Sequence, residues 1–391
     1  MKNFAKRARG IKVSTIREMS ALASKVPGVV SLGQGIPSFD LPRVVQKKLA
    51  EALKSKKDIN KYSLDSGMTE LKEEIAKDLR KRYGKRINPE KELIITKGAM
   101  GAIFCAISAL VERGEEVIIL TPAYESHIEL VKFAEAKPVF VPLIEKENWK
   151  PDIEGIKNKI TKKTKAIIIC DPSNPTGNCF SEEDLKEIAR LALDHNLYIV
   201  TDETYDYLTY EGKPHFSLLS FPRIKDRLVA CFSFSKKYAM TGFRVGYVVA
   251  QKEISEEILK VHDESTICAA TVSQYTALFS MKLLGNFVEQ SKRDFTRRKE
   301  LICERLDRLP LLFEYQKPMG AYYVFPKIKL PIKSMDFSKK LLYEAKVASI
   351  PGVAFGPGGE NHVRFSFAGT EKEINTAFDR IEKYSKKLLK Q

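Results

Sequence analysis

Two adjacent lysines stand in an otherwise apolar stretch of this 391-residue chain. The segment SFSKKYAMTGFRVGY, residues 233–247, places Lys236 and Lys237 after a Ser-x-Ser step and before a single arginine, Arg244. Its other members are largely aromatic or aliphatic, so we expect the segment to be buried. A buried ammonium group shifts its pKa, finds a partner or takes part in chemistry, because desolvation penalises the charge. The two lysines are therefore the first candidates for a reactive group.

Further polar and aromatic residues follow strands that the sequence predicts at 92–96, 116–122, 165–170, 197–201 and 227–232. In a parallel α/β sheet these strand ends meet at one edge, where ligands bind. Each residue alone has an ordinary explanation, such as a turn, a helix cap or a packed aromatic ring. Their convergence on one edge predicts a site. Its candidate members are Gly98, Ala99, Met100, Tyr124, Asn174, Asp202, Tyr205, Ser233, Ser235 and Lys236.

These residue types match the parts of pyridoxal phosphate. The cofactor has a phosphate, a flat ring, a ring nitrogen that a carboxylate keeps protonated, a phenolic oxygen, and an aldehyde that a lysine attacks. Backbone amides at a helix start and an arginine suit the phosphate. The residues that match the phosphate are Gly98 to Met100, Ser233 and Arg244, and Tyr124 matches the flat ring. Asp202 matches the ring nitrogen, Asn174 and Tyr205 match the phenolic oxygen, and Lys236 matches the aldehyde.

The elements that position these residues alternate between short apolar strands and helices, which predicts an α/β fold with a mainly parallel sheet flanked by helices. The helix after 180 begins at Ser181, a favourable N-cap. From about residue 253 the pattern turns helical and then mixed, which predicts a smaller α+β domain. We expect a large cofactor-binding domain at 46–281, and a small domain formed by 282–391 with the N-terminal arm 1–45, which lacks strong periodicity.

The composition narrows the function classes. The net charge is +16, but lysines alternate with glutamates along the chain, so we expect a solvated surface and no nucleic-acid partner. We find neither a membrane-length apolar run nor a secretory signal, and we expect a cytoplasmic protein without membrane contact. The six cysteines form no C-x-x-C pair and are expected to be reduced core residues. The five histidines lack metal-ligand spacing, so we predict no metal site.

Over nearly its whole length the chain resembles the class I/II aminotransferases of the fold-type I pyridoxal-phosphate enzymes, with an aspartate- or aromatic-aminotransferase-like pattern. The Ser-x-Ser-Lys and Thr-Gly-x-Arg element at 233–244 is its most specific part. The other motifs, in family order, are SLGQGIPSFDLP, YSLDSGMTELKEEIA, TKGAMGAI, TPAYESH, NPTG, DETY and VRFSFA.

The resemblance implies a role for each residue. Lys236 forms the Schiff base and moves protons, Asp202 pairs with the ring nitrogen, and Tyr205 and Asn174 bond the ring oxygen. Tyr124 stacks on the ring. Arg244 and Ser233 hold the phosphate with Ser235 or the amides of Ala99 and Met100. Tyr62 resembles a tyrosine that reaches the phosphate of the other subunit, which implies an obligate homodimer. Arg364 resembles the arginine that binds the substrate α-carboxylate, beside Gly35 and Asn174. The role of Lys237 stays open.

The implied reaction moves the amino group of an L-amino acid to a 2-oxo acid such as 2-oxoglutarate, by a ping-pong mechanism. Met100 stands where some aspartate-specific relatives carry lysine, so we favour a broad enzyme for aromatic or acidic donors over alanine and kynurenine types. The alternatives are a lyase of the same fold, acting on C–S bonds or resembling aminocyclopropanecarboxylate synthase, and a regulator that only senses ligands. Such regulators carry a helix-turn-helix domain before the aminotransferase-like region, whereas the aminotransferase-like motifs of this chain begin at residue 31.

Overall fold

The computed structural model describes residues 4–56, 58–212 and 214–388. The helices are α1 Lys6–Arg9, α2 Thr15–Ser24, α3 Arg43–Ser55, α4 Thr69–Tyr83, α5 Gly98–Leu110, α6 Glu125–Phe133, α7 Ile153–Lys159, α8 Glu182–Asp194, α9 Phe234–Lys237, α10 Lys252–Thr266, α11 Thr271–Leu283, α12 Phe287–Asp307, α13 Ser334–Glu344 and α14 Glu371–Leu388. The strands are β1 Val30–Ser31, β2 Leu93–Thr96, β3 Glu116–Thr121, β4 Lys137–Pro142, β5 Thr164–Cys170, β6 Tyr198–Asp202, β7 Leu228–Ser233, β8 Gly246–Ala250, β9 Phe313–Glu314, β10 Tyr323–Val324, β11 Lys327–Ile328, β12 Val347–Ala348, β13 Ile350–Pro351 and β14 Val363–Ser366.

A sheet of seven strands forms the centre of the described chain, in the order β2-β8-β7-β6-β5-β3-β4. Strand β8 runs antiparallel to both of its neighbours, and the other pairs are parallel. The predicted α/β fold with a mainly parallel sheet is therefore confirmed. Sequence analysis did not identify β4, an edge strand that is only partly buried and contains two prolines, which central strands do not tolerate.

Helices cover both faces of this sheet, because its inner strands carry apolar side chains on both sides. Alternate residues of each strand pack against α5, α6 and α10 on one face, and the intervening residues pack against α3, α4, α8 and α11 on the other. Helix α8 begins as predicted: the Ser181 hydroxyl accepts from the Asp184 backbone N–H, and the Asp184 carboxylate accepts from the Ser181 backbone N–H.

A second unit, here called the small unit, consists of β1 and residues 287–388. It contains the sheet β10-β14-β13 and the pairs β9–β11 and β1–β12, with α12, α13 and α14 around them. Its core is rich in phenylalanine, including Phe295, Phe337 and Phe365. The N-terminal segment is more regular than its sequence indicated, since α2 is capped by Ser14 and buries Met19. None of the helices in the described residues has the length and hydropathy of a membrane span.

Candidate active site

A cavity of about 230 Å³ opens at the carboxyl ends of β5, β6 and β7, where the strand pattern predicted a site. The structure brings nearly all the predicted residues to its wall. Those that line it are Gly35, Ala99, Met100, Tyr124, Asn174, Asp202, Tyr205, Ser233, Ser235, Lys236, Arg244 and Arg364. Gly98 lies directly beside Arg244, and Tyr62 is not among the lining residues.

Lys236 projects into the cavity from α9, the single helical turn that follows β7. Its Nζ donates to the carbonyl oxygen of Gly35 at 2.5 Å. Burial, together with the nearby charges of Arg244 and Arg364, lowers the pKa of Lys236 from 10.5 to about 8, although Asp202 opposes this change. At neutral pH this amine therefore holds its proton far less tightly than an ordinary lysine does.

Asp202 ends β6 and is buried. Its Oδ2 lies 3.0 Å from His127 Nε2, and its Oδ1 accepts from the backbone N–H and the hydroxyl of Thr204 at 3.2 and 2.6 Å. Burial alone raises the pKa of Asp202, but the His127 and Thr204 hydrogen bonds outweigh it and hold the pKa below its ordinary value. The cavity thus keeps one carboxylate ionised away from bulk water.

A group of residues suited to an anion lines another part of the same cavity. Helix α5 begins at Gly98, whose φ of +73° is accessible to glycine at little cost. A Cβ at Gly98 would lie 3.1 Å from Arg244 Nη2, so the guanidinium sits against the helix start. Arg244 Nη1 also donates to Ser235 Oγ at 3.4 Å, and Ser233 Oγ caps α9 through the Ser235 amide. A helix N-terminus, a guanidinium and two hydroxyls form a site suited to a phosphate group.

Arg364 is a second arginine in the cavity wall. It lies on β14, is buried, and donates from Nη1 to Asn174 Oδ1 at 2.9 Å and from Nη2 to the Gly33 carbonyl at 2.6 Å. Its guanidinium stacks over the ring of Tyr323, 4.5 Å from the centroid. Its Nε has no hydrogen-bond partner although it is buried. An unsatisfied buried donor is costly, and a carboxylate bound here would satisfy it.

Aromatic residues also belong to this wall. The hydroxyls of Tyr205 and Tyr323 are 2.8 Å apart, and burial raises the pKa of both, so both phenols are neutral donors at physiological pH. The Tyr322 hydroxyl donates to the Gly35 carbonyl at 3.0 Å, the same oxygen that accepts from Lys236. A Cβ at Gly35 would meet the Tyr323 hydroxyl at 2.0 Å, so only glycine allows this approach.

Tyr124 and Tyr62 occupy different positions relative to the cavity. Tyr124 precedes α6 and lines the wall, with its ring edge-to-face against His127 at 5.6 Å between centroids. Tyr62 lies in the segment before α4, is 76% exposed, and makes no wall of the cavity of its own chain. Its predicted reach into another subunit requires a second chain and stays a prediction.

Sequence analysis missed several residues of the site. The motif TPAYESH contains His127, to which the sequence analysis assigns no role, although it follows Tyr124 by nearly one helical turn and so falls on the same helix face. Ile16 reaches the wall from the N-terminal segment, and Tyr323 reaches it from β10. Cys170, expected in the core, is only partly buried and lines the cavity. Within the described residues, no three His, Cys, Asp or Glu side chains are grouped as metal ligands.

The site combines one low-pKa amine, one buried carboxylate and two arginines with different partners. This arrangement can hold a ligand with two anionic groups, place a cationic ring atom on Asp202, and present a partly deprotonated amine in the same cavity. Such a set of groups is suited to covalent amine catalysis with proton transfer.

Comparisons with known proteins agree with this geometry. The family described as "Aminotransferase class I and II" matches residues 27–381. The chain is 37% identical over 376 residues to the aspartate aminotransferase of Pyrococcus abyssi, covering 95% of this chain and 96% of that protein. It is 35% identical to aromatic-amino-acid aminotransferase 2 of Thermococcus litoralis, covering 96% of each. The structure of the Thermus thermophilus aspartate aminotransferase with maleate superposes with a TM-score of 0.91 at 33% identity, covering 97% of this chain and 99% of that one. The chain therefore belongs to the class I and II aminotransferase family.

Proposed function

We propose that this protein is a pyridoxal-phosphate-dependent aminotransferase that moves the amino group of an aromatic or aspartate-like L-amino acid to a 2-oxo acid such as 2-oxoglutarate. The observation that carries the proposal is the placement of Lys236 in one cavity with two arginines, Arg244 and Arg364, and with the buried carboxylate of Asp202. Each of these groups could bind or react with one part of the cofactor or of an amino-acid substrate.

The residues present fit the cofactor. Arg244, Ser233, Ser235 and the first amides of α5 would hold its phosphate, Asp202 its ring nitrogen, and Tyr205 and Asn174 its phenolic oxygen. Tyr124 would pack on the ring, and Lys236 would hold the aldehyde. The bound cofactor supplies an electron sink for the carbanion that forms at the substrate α-carbon. The His127 contact keeps Asp202 ionised, which is the state that a protonated ring nitrogen requires.

Lys236 is the proton carrier of this mechanism. Its pKa of about 8 leaves a useful fraction of neutral amine at physiological pH, so its Nζ can accept the substrate α-proton and hold it for the return transfer. The Gly35 carbonyl, 2.5 Å away, orients the amine between transfers. Tyr205 stays protonated because it is buried, and it donates rather than accepts at the phenolic oxygen.

Arg364 and Asn174 select the substrate by its α-carboxylate. The guanidinium is fixed by Asn174 and by the Gly33 carbonyl, and its free Nε completes a fork for a carboxylate. This contact is common to all α-amino and 2-oxo acids, so it suits a two-step exchange in which one site takes two substrates in turn.

The donor side chain meets a mainly neutral wall. In the described part of this chain, the cations lining the cavity are Lys236, Arg244 and Arg364, and all three have roles above. Ile16 and Met100 contribute apolar surface. A wall of this kind favours aromatic donors. The side-chain carboxylate of an acidic donor would have to be bound by groups outside this wall. The printed names of the relatives include both aspartate and aromatic aminotransferases.

We further propose a homodimer in which Tyr62 completes the phosphate site of the partner. Tyr62, Leu64 and Ile267 expose 76%, 62% and 47% of their surface, an unusual group of apolar side chains for a solvated face. We also propose the domain division 46–281 against 1–45 with 282–391. The parallel pairing of β1 with β12, which joins the N-terminal segment to the small unit, supports it. Residues 1–3 and 389–391 lie outside the described residues. Cytoplasmic placement and the lack of a nucleic-acid partner stay predictions.

The testing experiment is a donor screen with 2-oxoglutarate as acceptor. Glutamate formed in equal amount to the donor consumed supports transfer, whereas release of ammonia or a thiol without glutamate identifies a lyase and overturns the proposal. Lys236→Ala should lose both the visible absorbance of the holoenzyme and the transfer activity. Lys237→Ala should keep the absorbance; if it lost the absorbance while Lys236→Ala kept it, the reactive lysine would be misassigned.

A further inference from the structure

Lys237, the lysine beside the reactive one, turns away from the cavity into a buried charge cluster. Its side chain is only 12% exposed, and its Nζ lies 3.4 Å from Asp78 Oδ2 on α4. Burial lowers the pKa of Lys237, and Arg82 lowers it further, while Asp206 and Asp78 oppose the change. A side chain so placed costs free energy unless its charge is compensated, so its position calls for a physical explanation.

The cluster joins three elements that carry the site. Arg82 on α4 donates from Nε to Asp78 Oδ2 at 2.8 Å and from Nη1 to the carboxylate of Asp206. Asp206 is the residue after Tyr205, in the turn that begins at Asp202. Two acids therefore face two bases, and Lys237, Asp78, Arg82 and Asp206 form one chain of ionic contacts. This chain runs from α9 through α4 to the segment that holds Asp202 and Tyr205.

Helix α9 needs such an anchor because it is one turn long. A helix of four residues has almost no stability of its own, since nucleation is unfavourable and few hydrogen bonds form. Ser233 caps its start, and the Tyr238 backbone N–H donates to the Phe234 carbonyl at 3.2 Å. Both lysines lie in its last two positions and point to opposite sides.

We propose that Lys237 is a positioning residue for Lys236: its ionic contact with Asp78, continued through Arg82 to Asp206, fixes the reactive amine relative to Asp202 and Tyr205. The inference rests on the role proposed for Lys236. It explains why the chain carries a second lysine at a position that faces no ligand. Loss of this contact leaves Arg364 and Asn174 untouched, so it should impair the proton transfer more than the binding of the donor.

The test compares holoenzyme variants. Lys237→Met keeps the length and removes the charge, and we expect kcat to fall about tenfold while KM for the donor stays within about twofold. The rate at which visible absorbance develops when pyridoxal phosphate is added to the apoprotein should fall in parallel, because Lys236 must be correctly placed to capture the aldehyde. Lys237→Arg should recover most of both losses, because it restores a cation within reach of Asp78.

Lys299→Met is the matched control. Lys299 has the same 12% exposure and one carboxylate, that of Glu211, at 3.8 Å, but lies on α12 in the small unit. Its variant should keep kcat and the absorbance rate. If Lys237→Met lowers only the melting temperature and leaves kcat and the absorbance rate at control values, the residue is merely structural and the inference is wrong.

Asp78→Asn tests the same path from the α4 side and decides the matter if Lys237→Met does not fold. We expect the same loss of kcat with unchanged KM, and a Lys237→Met/Asp78→Asn double variant no worse than the more impaired single variant. Effects that multiply in the double variant, or an Asp78→Asn variant with wild-type kcat, would overturn the inference. A wild-type protein without transfer activity would instead overturn the proposed function.

Discussion

Replacing Lys236 with methionine should make the apoprotein more stable at neutral pH, although it abolishes activity. The fall of the Lys236 pKa from 10.5 to about 8 means that the folded site disfavours the ammonium form by about 3 kcal/mol. Methionine has similar length and no charge, so it removes this penalty. It also loses the hydrogen bond to the Gly35 carbonyl, which costs about 1 kcal/mol. We expect a net gain of about 2 kcal/mol at about pH 7.

The pH dependence separates the charge effect from the packing effect. Between about pH 8 and 10.5 the unfolded chain still binds the Lys236 proton while the folded chain has lost it. Wild-type stability from this group therefore rises with pH through that window and reaches its full value above 10.5. The advantage of Lys236→Met should shrink by almost 3 kcal/mol over the same window, whatever the hydrogen bond contributes.

The assay is denaturant unfolding of the apoprotein at about pH 7 and about pH 10.5, at one protein concentration because association shifts apparent stability. Lys282→Met is the control, because the Glu70 carboxylate 2.6 Å away raises the pKa of Lys282 and keeps its ammonium charged in the folded protein over this range. If the stability difference between Lys236→Met and wild type were the same at both pH values, the ammonium of Lys236 would not be destabilised by its site, and the assignment of a low-pKa amine would fail.

Three further predictions follow from contacts in the cavity. His127→Phe removes a hydrogen bond that lowers the pKa of Asp202, so the acid limb of the kcat–pH profile should move to higher pH and kcat should fall about tenfold; an unmoved acid limb would contradict this. Gly35→Ala places a Cβ 2.0 Å from the Tyr323 hydroxyl and should lower kcat/KM about a hundredfold, with partial recovery when Tyr323→Phe is added; a Gly35→Ala variant with wild-type kcat/KM would show that the contact is not tight. Arg364→Lys should raise KM about tenfold or more for every donor, because it breaks the fork for the shared α-carboxylate, and a change confined to one donor would refute that role.

The sheet and most of its polar edge could be predicted from the sequence because local pattern determines both. Strands such as β5 and β6 are continuous apolar runs, and a polar residue directly after each run must lie at the carboxyl edge. Asn174 and Asp202 were found in this way without reference to any relative. Arg364 was not, because its strand β14 belongs to the small unit and its route to the cavity depends on how that unit packs.

The residues that were missed depend on contacts between distant segments. Tyr323 belongs to a strand of two residues, which is too short to show any periodicity. Its role in the site comes from the contact of its hydroxyl with Tyr205 and from its close approach to Gly35. His127 could have been found, since it lies on the first turn after the Tyr124 strand end, but a single histidine is as often a core residue as a functional one. Asp78, which accepts from Lys237, stands 159 positions earlier in the chain, so no local pattern could identify it.

The charges that line the cavity predict how ligand binding would affect proton transfer in this chain. Arg244 and Arg364 both lower the pKa of Lys236, and Asp202 is the acid that opposes them. An anion bound at either arginine cancels part of that repulsion, so each anionic group that enters raises the proton affinity of Lys236. A phosphate at Arg244 would act permanently, whereas a substrate carboxylate at Arg364 would act only while the substrate is bound. Under the proposed function the amine would therefore be the stronger base while substrate is bound, and we infer that Arg364 would assist proton transfer as well as substrate recognition.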